Sequence, residues 1–148
     1  MNGDNQSDFD KMVDSIQAEV DADAEVTFSK KVIDEYKHPH NVGRMKEPDS
    51  VAIITGSCGD TMEIFLIIKE NKITDVRFMT DGCGASIACG SMITRMIKGK
   101  AIDNVKKITN IDLIDALDGL PEENKHCAKL AVDIVQKAIK NYLDEEGK

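Results

Sequence analysis

The chain has 148 residues, 41% of them hydrophobic and 31% charged, enough length and apolar content for one folded domain around a single core. With 27 acidic against 19 basic residues its net charge is −8, the wrong sign for a surface that neutralises nucleic-acid phosphates. No apolar run approaches the roughly 20 residues of a membrane span, so neither nucleic acid nor membrane is expected as a partner.

The acidity is concentrated at the start. Residues 1–26 hold eight carboxylates against Lys11 alone, and they read as an acidic extension to a domain spanning 27–148. Within it Phe9, Met12, Val13, Ile16 and Val20 recur at helical spacing after a candidate Ser7 cap, so the extension is either a short amphipathic helix or a disordered tail. It lacks the basic, apolar pattern of a secretory signal and the Arg-rich, acid-poor pattern of a transit peptide, which predicts a cytoplasmic location.

A helix is predicted over 29–37, with Val32, Ile33 and Tyr36 on one face, ending at the His38-Pro39 step. A turn-rich segment with His40 follows, and both histidines are expected to be solvated. Residues 51–55, 62–69 and 73–80 are short, β-branched runs separated by Gly56, Gly59 and the Glu70-Asn71-Lys72 turn, the pattern of an antiparallel meander. Helical periodicity returns over 83–98, in shorter pieces over 102–107 and 111–117, and over 124–143. That last stretch carries the stripe Cys127, Leu130, Ala131, Ile134, Val135, Ala138 and Ile139. Strands followed by helices predict an α+β domain, a small three-stranded antiparallel sheet with helices packed on it.

Four cysteines without an export signal are expected to be reduced, which favours metal or thiol chemistry over disulfides. Cys58 lies in a turn with Asp60 two residues on, Cys83 sits between glycines at a helix start, and Cys127 follows His126 in the first turn of the last helix. A helix N-terminus favours negative charge, so Cys83 and Cys127 are both expected to be acidic thiols. Cys58, Asp60, Cys83, His126 and Cys127 would suit tetrahedral Zn or Fe, or the irons of a small cluster. On spacing alone, ordinary buried cysteines are the better account. Cys89 lies about 600° of helix from Cys83, pointing away from it, and reads as core, as do Met92 and Met96.

Residues Glu35-Tyr36, Pro39, Asn41-Val42-Gly43, Cys58-Gly59-Asp60, the run Gly82-Cys83-Gly84-Ala85-Ser86-Ile87-Ala88 and His126-Cys127, in this order and spacing, resemble the IscU/NifU family of iron-sulfur cluster assembly scaffolds over about residues 28–143. The resemblance implies an IscU/SufE-like fold and a non-enzymatic platform that builds a labile [2Fe-2S] cluster from iron and sulfur. It also implies a cysteine desulfurase as sulfur donor and apo iron-sulfur proteins as recipients. Further implied partners are a frataxin-like protein, a ferredoxin and Hsp70/Hsp40 chaperones, with the chain a monomer or a homodimer. By the same resemblance Cys58, Cys83 and Cys127 are cluster ligands, Asp60 is the ligand that makes the cluster labile, His126 is an alternative ligand, and Cys127 also accepts persulfide sulfur.

The sequence departs from the family in places. Where the IscU branch has the chaperone-docking Leu-Pro-Pro-Val-Lys, this chain has Leu120-Pro121-Glu122-Glu123-Asn124. The insertion of the zinc-dependent SufU branch is missing between Cys83 and Cys127, and the further domains of full-length NifU are not expected. The alternatives are a zinc-binding sulfur acceptor that builds no cluster, and an adaptor domain whose cysteines merely pack.

Overall fold

The computed structural model describes residues 28–57 and 59–146. The predicted helix at 9–20, the domain boundary near residue 26 and Cys58 lie outside the described residues. Helix α1 (Lys30–Lys37) begins at Ser29, whose hydroxyl accepts the Val32 N–H at 3.0 Å and donates to the Leu117 carbonyl. Val32 and Tyr36 are fully buried. Glu35 is buried too, at 3% exposure, a cost that only charged and hydrogen-bonded partners can offset. Those partners are the Ser91 hydroxyl, donating at 2.6 Å, the Arg95 guanidinium, and the His40 ring at 3.6 Å. The expectation that His40 is merely solvated is therefore corrected: its side chain is half exposed, but it faces Glu35 and its backbone N–H donates to Ser91 Oγ at 2.8 Å.

Strands β1 (Ser50–Thr55), β2 (Thr61–Lys69) and β3 (Lys72–Thr80) form the predicted meander, antiparallel in the order β1-β2-β3. The β2–β3 hairpin turns through Glu70 and Asn71, both at positive φ (51° and 62°), as a two-residue loop matched to strand twist requires. On β2, Met62, Ile64, Leu66 and Ile68 alternate into the core. On β3, Ile73 and Val76 both point inward although three residues apart. The register shift opposite Ile67/Ile68 accounts for this, since Ile68 pairs with Ile73 but Ile67 with Asp75, leaving Thr74 as the extra residue of a bulge.

The sheet edges are covered. Val42 bridges Phe78 in parallel, with Phe78 N–H donating to Asn41 O and Gly43 N–H to Phe78 O, both at 2.9 Å. At the other end of β3, Gly99 and Ile102 bond the backbone of Ile73 and Asn71. The segment around Asn41 is thus a strap on β3 rather than a free turn. On β1, Lys137 and Asn141 donate side-chain hydrogen bonds to Ile53 O (3.3 Å) and Val51 O (3.1 Å).

Helix α2 (Gly84–Ile97) lies between β3, α1 and the last helix, and eleven of its fourteen residues are buried. It approaches β3 so closely that a Cβ on Gly90 would stand 2.4 Å from the Phe78 ring. Helix α3 (Ile102–Val105) is a single turn. Helix α4 (Asn110–Ala116) starts with a capping box in which Thr109 and Asp112 exchange hydrogen bonds. A 3-10 turn (Glu122–Asn124) leads into α5 (Lys125–Glu146), which packs on β1, β2, α2 and α4. Its predicted stripe from Cys127 to Ile139 is buried throughout. Cys89 is fully buried, while Met92 and Met96 are partly buried against the same core. Among the described residues no helix is long and apolar enough to cross a membrane.

Candidate metal centre

Three pieces of chain meet where the β1–β2 loop, the β3–α2 turn and the start of α5 come together. The loop is closed by Gly56 N–H on Asp60 O (2.8 Å) and Gly59 N–H on Gly56 O (3.0 Å); Gly59, at φ 92°, occupies a conformation open to few other residues. The adjoining turn is tied to this loop. Asp81 Oδ1 accepts the Thr61 N–H at 2.8 Å, Thr80 Oγ1 donates to Thr61 O at 2.8 Å, and Gly82 N–H donates to Thr80 Oγ1 at 3.1 Å. The bonds hold Asp60 beside the helix start that carries Cys83.

Cys83 is the N-cap of α2, and Ser86, three residues on, turns its side chain back toward it. Ser86 is fully buried, and its Oγ lies 3.2 Å from Asp60 Oδ2, 3.4 Å from Cys127 Sγ and 4.0 Å from Cys83 Sγ. Cys127, buried at the start of α5, is also 3.6 Å from His126 Nε2, and His126 itself is exposed. The structure thus brings Asp60, Cys83 and Cys127 around one hydroxyl, with His126 alongside Cys127. Asp60 reaches the thiols through Ser86. Among the described residues no group of three or more His, Cys, Asp or Glu is gathered closely enough to hold a metal ion, and Cys58 is outside them.

The two thiols differ in acidity. Cys83 is exposed and its pKa is lowered to about 5, mainly because the Cys127 thiol donates a hydrogen bond to its thiolate, with further help from the Ser86 and Ala85 amides; partial burial opposes this. For Cys127 the prediction fails. Its thiol is pushed up, first because it is the donor to Cys83 and then by burial, against a smaller opposing pull from the Ser86 hydroxyl. One proton between two close sulfurs cannot leave both charged. Cys89 is pushed up by burial and, less, by the charge on Cys83, in keeping with an inert core thiol.

Two features escaped the sequence reading. Ser86 lies inside the quoted glycine-cysteine motif, and its spacing of three from Cys83 was the available signal. Nothing local marks Glu35, Ser91 and Arg95 as partners, since Glu35 lies 56 and 60 residues from the other two in the chain.

Comparison with known proteins agrees in sequence and in fold. Residues 27–148 match the family model of the NifU-like N terminal domain. The chain is 43% identical over 122 residues to "Iron-sulfur cluster assembly scaffold protein IscU 1" of Archaeoglobus fulgidus, covering 82% of this chain and 80% of that protein. It is 38% identical over 122 residues to the scaffold protein IscU of Escherichia coli, covering 79% and 94%. A crystal structure of a NifU-like N-terminal protein from Brucella abortus superposes with a TM-score of 0.65 at 20% identity, over 78% of this chain and 94% of that one; at that identity the likeness speaks for the fold. With most of its length matched both by the family model and by relatives of this similarity, the chain belongs to the NifU-like N-terminal domain family.

Proposed function

We propose that this protein is a scaffold on which a labile iron-sulfur cluster, [2Fe-2S] in its simplest form, is assembled from iron and desulfurase-derived sulfur and then surrendered to apo-proteins. The observation that supports it best is the gathering of Asp60, Cys83 and Cys127 around Ser86, in a chain whose relatives at 38–43% identity bear scaffold names. Those names favour this reading over a zinc-binding sulfur acceptor. The adaptor reading leaves an acidic, exposed Cys83 without a use. The protein acts as a carrier, and the cluster is its cargo.

The resting pair of sulfurs supplies a route for sulfur. Cys127 passes its proton to the Cys83 thiolate that already accepts its hydrogen bond, and the freed Cys127 thiolate attacks the outer sulfur of a desulfurase persulfide. A new S–S bond forms on Cys127, the donor's S–S bond breaks, and its electron pair leaves with the desulfurase thiolate, so no net oxidation occurs. Cys58, Asp60, Cys83 and His126 would hold iron, and an external reductant such as a ferredoxin would deliver two electrons, one at a time, that break the persulfide S–S bond, return Cys127 to a thiolate and release the outer sulfur as sulfide. Lability follows from the donor set: three thiolates bind iron well, whereas a carboxylate is a harder and poorer partner for such a centre.

Anaerobic reconstitution with ferrous iron, cysteine and a desulfurase tests this. Visible iron-sulfur absorption should appear in the wild type, collapse in Cys58→Ala, Cys83→Ala and Cys127→Ala, and survive in Cys89→Ala. A protein that takes up only zinc, or that forms no chromophore, would overturn the proposal.

A further inference from the structure

Building on that scaffold reading, we infer that Ser86 is a positioning residue for Asp60, and that the ease with which the cluster leaves depends on the Ser86 hydroxyl. Three observations carry the inference. Ser86 is fully buried on the first turn of α2, which is packed against β3, α1 and α5, so its hydroxyl is fixed in space. Asp60 stands on a short loop between strands, and Ser86 Oγ, at 3.2 Å from Oδ2, is the side-chain contact that joins its carboxylate to the thiols among the described residues. Residue 82 is bare where the two approach: a Cβ on Gly82 would stand 2.6 Å from Ser86 Oγ and 2.9 Å from Asp60 Oδ2. Any larger residue there would occupy the space in which hydroxyl and carboxylate meet.

The chemistry follows from counting protons. A hydroxyl has one proton to donate and two lone pairs that accept. That proton has Asp60 Oδ2 at 3.2 Å and Cys127 Sγ at 3.4 Å as acceptors, and donated to Oδ2 it leaves the other carboxylate oxygen for iron. Ser86 thus places the weak ligand, acting on iron only through Asp60.

A double-mutant cycle on the full chain reads this directly, with the rate of cluster loss to an iron chelator as the observable. Asp60→Ala removes the weak ligand and should slow loss. Ser86→Ala, which places a strong helix former on the helix, should fold and slow loss severalfold, toward the rate of Asp60→Ala and not beyond it. Gly82→Ala, driving a methyl between hydroxyl and carboxylate, should slow it in the same direction by an independent route. In the Asp60→Ala background, Ser86→Ala should change nothing further. If Ser86→Ala leaves the rate of loss unchanged, or slows it equally with and without Asp60, the inference is overturned while the scaffold function stands. If the wild type itself assembles no cluster, the scaffold function falls and this inference with it.

Discussion

Helix α2 carries two buried serines five residues apart, and they do opposite jobs. Ser91 donates to Glu35 at 2.6 Å and receives the His40 backbone N–H at 2.8 Å, within a set that Arg95 completes with charge. Ser86 faces a carboxylate at 3.2 Å and sulfurs at 3.4 and 4.0 Å, all of them able to accept its one proton. A buried hydroxyl between a backbone N–H that donates to it and a carboxylate that accepts from it becomes a rivet, because each bond strengthens the next. Between a carboxylate and two sulfurs it is left with a choice of acceptors. Helix α2 is thereby pinned at its middle and adjustable at its start, where the chemistry is.

The contrast can be broken at either end. The largest effect belongs to acidity. Alkylation of Cys83 should reach half its maximal rate near pH 5, since thiolate is present above that value. In Cys127→Ala the midpoint should rise, because the donor that most favours the thiolate is gone; iodoacetamide labelling followed by mass spectrometry of the Cys83 peptide measures both. On stability, Glu35→Ala should cost about 3 kcal/mol in urea denaturation, near the lower bound for breaking a buried ion pair because Arg95 remains half exposed. Gly90→Ala forces a methyl into the Phe78 ring and should cost about 2 kcal/mol by overpacking. Ser91→Ala should cost about 1.5 kcal/mol, since it strips a hydrogen bond from a buried carboxylate. Ser86→Ala should cost under about 1 kcal/mol, its longer contacts contributing less. Equal losses at the two serines would erase the distinction between them.

The architecture was legible because its signals are local. Short β-branched runs set off by turn residues marked all three strands to within one residue, and the apolar stripe of α5 read directly as the buried face, although the helix continues past residue 143 to Glu146. The strap at Asn41–Gly43 was read as a turn, since a single bridge to Phe78 leaves no periodic trace. The ordered glycine-cysteine and histidine-cysteine motifs named a family, yet acidity did not follow from helix position. Cys83 caps its helix and is exposed, whereas Cys127 enters after a 3-10 turn, at 1% exposure, already committed as a donor to its neighbour. Which of two thiols keeps the proton depends on a distance between residues 44 positions apart in the chain, and pattern reading has no access to it.

The guarded borders of the sheet bear on how this molecule meets others. Open strands invite neighbours to add themselves on, the route to fibrils and to sheet-extended dimers. Here the backbone of Val42 occupies one border and the side chains of Lys137 and Asn141 occupy carbonyls along the other. At these positions main-chain pairing by a visiting protein is obstructed, which favours recognition through side-chain shape and charge, a grip that can be released once a delivery is made.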